Sequence, residues 1–173
     1  MSRLPSDKEP RRERLSILGH WGVVALWMLV ISTLSGEPFS AQNTNEYIDP
    51  VLRFLFPHFS VAELLAAHTV IRKTAHLTEF FILGTLTYWA SRRGRQPAWR
   101  ARWMLQSIIL AGCYALLDEA HQMFVPDRTP SLWDSGIDSL GAAISQVVIY
   151  LRHRFGPATL TPKDDVEKAQ EQS

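Results

Sequence analysis

Four long apolar runs occupy the middle of this chain, and each of them has ionisable side chains set inside it. The first, Ile17 to Leu34, reads ILGHWGVVALWMLVISTL and carries His20 as its one ionisable group. At 1.5 Å per residue this is about the length needed to cross a hydrocarbon core of roughly 30 Å. The second run holds His76 and Glu79, the third closes on Asp118, Glu119, His121 and Gln122, and the fourth opens with Asp134 and Asp138. Ionisable groups are costly in lipid, so they turn inward, and each is a functional candidate by default.

The expected fold is therefore an all-α membrane protein: a bundle of four transmembrane helices with an interfacial loop or helix between the first two. The spans fall at about 17–35, 74–91, 103–125 and 132–151. Residues 1–14 and 154–173 are polar and charged and are expected to be disordered, leaving one membrane domain over 15–153. No A-x-A site follows the first run, so it reads as a retained span and not a cleaved signal. Residues 37–60, with Asn43-Thr44-Asn45 and two prolines, read as an irregular loop around a short amphipathic piece at Val51–Phe56. Ser60 with Glu63 three residues on forms a capping-box pattern, which predicts a helix from Val61. Ser131 is the expected N-cap of the last span, placing Asp134 at its third helical position, where a carboxylate suits the helix dipole.

Charge is informative through its placement. The net charge of +1 gives no field for nucleic acid, and none is expected as a partner. Lone Cys113, inside an apolar run, reads as a small buried hydrophobe. Arginines bunch before the first run, after the fourth, and in the segment SRRGRQPAWRAR, which has five and no acid. The positive-inside rule places that segment and both termini in the cytoplasm, as in a multi-pass membrane protein. The long loop and the Pro126–Pro130 turn then face outward.

Measured from those outward ends, Glu79, Asp118 and Asp138 each lie roughly 10 Å deep, with His76, His121, Gln122 and Asp134 shallower. Three helices thus contribute to one polar layer near the outer face. Lys73, His76 and Phe80 share a helix face with Glu79 on its edge. Tyr114, Asp118, His121, Gln122 and Val125 make a second face. The third holds Asp134, Asp138, Gly141, Ala142 and Ser145, polar outward and small toward the middle, which favours close helix approach. Asp134 and Asp138 repel at i, i+4 spacing; Lys73, Arg72 and Arg128 are the cations available to compensate them.

Two blocks carry a resemblance. The first is Lys73-x-x-His76-x-x-Glu79-Phe80 followed by Leu83-Gly84. The second is Asp118-Glu119-x-His121-Gln122-x-Phe124-x-Pro126-x-Arg128, then Asp134 and Asp138 with Gly141. Over about 15–153 the chain resembles the VanZ-like family of bacterial membrane proteins, named for a teicoplanin-resistance protein. The resemblance implies about four membrane helices, a link to the cell envelope and, in some members, antibiotic resistance in the form of lower glycopeptide sensitivity. Phe80 stands where the family often has Tyr, Asp127 where Gly is frequent, and Asp138 where Asn is also common.

Three readings of the polar layer stand side by side. As a binding site, Lys73, Arg72 and Arg128 would grip an anionic envelope lipid or lipid-linked cell-wall precursor, Arg128 in bidentate fashion. Asp118, Glu119 and Asp134 would hold those cations, with Glu79, Gln122 and Asp138 completing the ligand-binding set. As an intramembrane enzyme, His121 or His76 would act as general acid or base, oriented by Asp118 or Glu119. A metal variant would draw on His76 and His121 with Glu79, Asp118 or Glu119, donors that suit Zn²⁺ or Mn²⁺. The chain has no dense motif such as H-E-x-x-H, so no resident metal or cofactor is expected. The third reading is a buried network that only fixes helix packing.

Overall fold

The computed structural model describes residues 8–36, 41–92, 99–124 and 131–156, which form five α-helices and, among the described residues, no strand. They are α1 (Lys8–Leu34), α2 (Ala41–Leu55), α3 (Val61–Arg92), α4 (Ala101–Gln122) and α5 (Leu132–Phe155). The Arg-rich stretch 93–98, the turn 125–130 and the tail from 157 onward lie outside the described residues.

Two expectations about local structure are corrected. The charged segment ahead of the first apolar run is helical from Lys8, not disordered through residue 14. Its Lys, Glu and Arg residues are good helix formers, and Pro10 sits in the first turn, where no backbone hydrogen bond is lost. The 37–60 segment contains α2, which runs through Asn43, Thr44 and Asn45 and passes Pro50. It is amphipathic: Leu52 is buried, while Val51, Phe54 and Leu55 are exposed. His68 of α3 ties it down through a ring nitrogen 2.5 Å from Asp49 Oδ1.

The capping box forms as expected. The Ser60 backbone N–H and hydroxyl each donate to Glu63 Oε2 at 2.7 Å, and the Glu63 N–H returns a longer bond to Ser60 Oγ at 3.4 Å. The Ser60 backbone N–H, and then its hydroxyl, hold the Glu63 carboxyl below its ordinary pKa. Ser131 does take the N-cap position of α5 with extended backbone, but its side chain makes no capping bond. Instead its own N–H is accepted by Glu119 Oε1 of α4.

Helix α3 is the centre of the bundle, packed on α5, α4, α1 and α2. Small residues bring α3 and α5 together. A Cβ added at Gly84 would lie 2.9 Å from Ala142 Cα, and one at Gly141 would run into the Leu77 backbone carbonyl. Phe80, Leu83, Ala111, Ala115 and Ala142 are wholly buried around this seam, and the Phe80 ring packs on Tyr114 with centroids 6.1 Å apart. Helix α1 joins from the side through Trp27 Nε1, which donates to the Glu79 backbone carbonyl at 3.0 Å. Tyr114 OH donates to the Met28 carbonyl at 2.5 Å and lies 2.8 Å from Ser32 Oγ.

The outer surface carries Leu18, Leu26 and Leu29 on α1, Trp89 on α3, Leu116 and Leu117 on α4, and Val147 and Leu151 on α5, all exposed. Cys113 also faces outward and is not the buried hydrophobe expected of it. By length and composition one described segment, Ile17–Leu34, is a candidate membrane crossing. The other long helices of the described residues are less apolar and do not meet that criterion.

Candidate functional site

The close seam between α3 and α5 sets up a ladder of paired side chains. At its open end Lys73 Nζ donates to Asp134 Oδ1 at 2.7 Å, with both side chains partly exposed. One turn deeper, His76 Nδ1 lies 3.4 Å from Asp138 Oδ1. Below that, the Leu77 backbone meets Gly141. The i, i+4 repulsion between Asp134 and Asp138 is thus relieved by giving each a different nitrogen across the seam. Arg72, Lys73, His76, Asp134, Ile137 and Asp138 line a shallow cleft, partly open to solvent.

Helix α4 supplies the third side. Asp118 is 2% exposed, and its Oδ2 accepts from Gln122 Nε2, one turn on, and from Ser35 Oγ at the end of α1, both at 2.9 Å. Its other oxygen, Oδ1, has no hydrogen-bond partner among the described residues. The same holds for Asp138 Oδ1 and His76 Nδ1; at 3.4 Å these two are close enough to attract as ions but not aligned as a hydrogen bond. One donor atom each from His76, Asp118 and Asp138 falls within 4.8 Å of the other two.

The expected polar layer divides along these lines. Lys73, His76, Asp118, Gln122, Asp134 and Asp138 are brought together at one end of the bundle. Glu119 is buried but turned toward the start of α5, where it holds the Ser131 N–H. His121 is exposed, on the outside of α4. The buried stripe of α4 passes through Ala111, Ala115, Asp118 and Gln122, with Glu119 at its edge facing α5. Glu79 is half-buried and takes part through its backbone carbonyl. Arg128 lies outside the described residues.

Two features escaped the sequence reading. One is Ser35, whose i, i+3 spacing with Ser32 puts both hydroxyls toward α4. The other is a second polar layer deeper in the bundle. There the Gly84 carbonyl accepts from Ser107 Oγ at 2.6 Å and from Gln146 Nε2 at 2.9 Å, and Thr87 Oγ1 lies 2.6 Å from Ser107 Oγ. It links α3, α4 and α5 through groups that would otherwise need water, as polar residues do between membrane helices.

In comparison with known proteins, a family model described as VanZ/LLP1 matches residues 21–153. None of the curated proteins matches, and none of the solved structures does.

Proposed function

The chain belongs to the VanZ/LLP1 family, and from that premise we propose a multi-pass protein of the bacterial cytoplasmic membrane that binds an anionic group of a cell-envelope component at the outward end of its bundle. In this reading α1, α3, α4 and α5 each cross the bilayer, α2 lies at the interface, and both termini are cytoplasmic. The distribution of side chains supports it. Apolar residues cover the outside of all four long helices, while Asp118, Asp138, Ser107 and Gln146 are buried between them. Water-soluble bundles place these classes the other way round. Helix α3 has 32 residues, about 48 Å at 1.5 Å per residue, so its first turns extend past a hydrocarbon core of roughly 30 Å. That leaves Arg72 and Lys73 at the rim, where head groups lie.

The observation that carries the ligand class is the position of those two cations on the mouth of the cleft. Lys73 uses one of its three ammonium donors on Asp134, leaving others for a phosphate or carboxylate oxygen, and Arg72 offers a fork on the same rim. A lipid head group or a lipid-linked cell-wall precursor presents such a group at that depth. A change in glycopeptide susceptibility is the cellular effect this reading anticipates. The His76–Asp138 contact at the cleft floor supports a second reading, in which His76 moves a proton for chemistry on the bound molecule.

Native mass spectrometry tests the first reading. Delipidated protein in mild detergent is titrated with phosphatidylglycerol and, separately, with zwitterionic phosphatidylcholine. Preference for the anionic lipid is expected, weakened about tenfold or more per charge removed in Arg72→Gln and Lys73→Gln, from roughly 1.5–3 kcal/mol per charged hydrogen bond. Equal retention of both lipids, or no change in the double variant, overturns it.

A further inference from the structure

We propose that His76, Asp118 and Asp138 form a divalent-cation site at the floor of the cleft, suited to Zn²⁺ or Mn²⁺. The proposal stands apart from the anion-binding reading, because it rests on different atoms. Three helices bring one donor each from these residues to within 4.8 Å of one another. Each of the three residues also has a buried polar atom, His76 Nδ1, Asp118 Oδ1 and Asp138 Oδ1, with no hydrogen-bond partner among the described residues. A buried carboxylate oxygen without a partner is costly, and an ion is one of the few things that relieves it.

The spacing fits a metal better than it fits a hydrogen bond. His76 Nδ1 and Asp138 Oδ1 are 3.4 Å apart. Two ligand atoms at about 2.1 Å from a tetrahedral Zn²⁺ stand roughly 3.4 Å from each other. A proton shared between His76 and Asp138 would leave Asp118 Oδ1 unsatisfied, whereas a dication among the three residues draws a donor from each and is neutralised by the two carboxylates. One imidazole with two carboxylates suits Zn²⁺ or Mn²⁺, while Ca²⁺ wants six to eight oxygens. The outer shell is also in place: Ser35 and Gln122 fix the second oxygen of Asp118, as second-shell donors do for metal-binding carboxylates. The cleft, lined in part by His76 and Asp138, provides the way in. Three protein donors leave a coordination position for water or for an oxygen of a molecule in the cleft.

The test uses the full chain in mild detergent, stripped with a chelator and dialysed, with Zn²⁺, Mn²⁺ or Co²⁺ then added alone. Metal analysis is expected to find about one equivalent per chain, the thermal unfolding midpoint to rise on metal addition, and Co²⁺ to give a visible absorption band that Zn²⁺ displaces. His76→Gln and Asp138→Asn should both lose the bound equivalent and the metal-dependent shift. Ser35→Ala should weaken affinity about 10–100-fold. His68→Gln, which removes the separate His68–Asp49 pair, should bind as the parent does. No stoichiometric metal in the parent protein overturns the site. So does undiminished binding in His76→Gln and Asp138→Asn, or loss of the Co²⁺ band in His68→Gln. If the two site variants fail to fold, Co²⁺ absorption of the parent and of His68→Gln still decides the matter.

Discussion

Replacing Gly141 by alanine sets two opposed effects against each other, and the geometry says which wins. In a helix interior the change gains up to about 1 kcal/mol in propensity. Against this, the new Cβ would collide with the Leu77 carbonyl oxygen and would lie 3.2 Å from Leu77 Cα, inside the ordinary carbon contact of about 3.5–4.0 Å. The obstacle is backbone, so no rotamer change relieves it, and α3 and α5 must separate. Overpacking costs about 1–3 kcal/mol; a rigid obstacle places this case in the upper part of that range, leaving a net loss of about 1–2 kcal/mol. Gly136 lies on the same helix with nothing within 4 Å of its added Cβ. Gly136→Ala should therefore keep the propensity gain of up to about 1 kcal/mol. Equilibrium unfolding in mixed micelles, followed by circular dichroism, is expected to separate the two variants by about 2–3 kcal/mol. Since His76 adjoins Leu77 and Asp138 lies one turn before Gly141, the Gly141→Ala protein should also lose metal. If Gly141→Ala proves as stable as Gly136→Ala, the close α3–α5 seam is wrong, and the site built on it goes with it.

Other tests address separate joints. Ser35→Ala removes a donor from the buried Asp118 carboxylate and should cost about 1.5–3 kcal/mol; an unchanged unfolding midpoint would mean that α1 is not tied to α4 there. Glu63 should titrate below the ordinary glutamate range in a carboxyl-labelled NMR experiment, and Ser60→Ala should bring it back up. Because its folded-state pKa is depressed, the cap's contribution is complete above the ordinary value and is lost as pH falls through the depressed one. A midpoint unmoved by Ser60→Ala would refute that assignment. Reporters fused after Gln96 should be active only in the cytoplasm; activity outside the cell would reverse the proposed orientation.

Composition and periodicity alone determined a good deal. The helical class, the start of α3 at Val61 and the small-residue face at Gly141, Ala142 and Ser145 follow from local rules, since capping and helical spacing involve residues within a turn or two of one another. The gathering of Lys73, His76, Asp134 and Asp138 at one end was legible because polar groups within apolar runs have few places to go, but which nitrogen meets which carboxylate was not. Tertiary structure decided what depends on helix rotation and on neighbours distant in the chain. Spacing put His121 on the same face as Asp118, but with α5 packed beside α4 it is Glu119 that is covered and His121 that is left outside. Ser35 meets Asp118 across 83 residues of sequence, a contact no local pattern encodes. Helix periodicity says which residues share a face; only packing against other helices says how far round that face extends and which atoms it leaves without a hydrogen-bond partner, as it does on His76, Asp118 and Asp138.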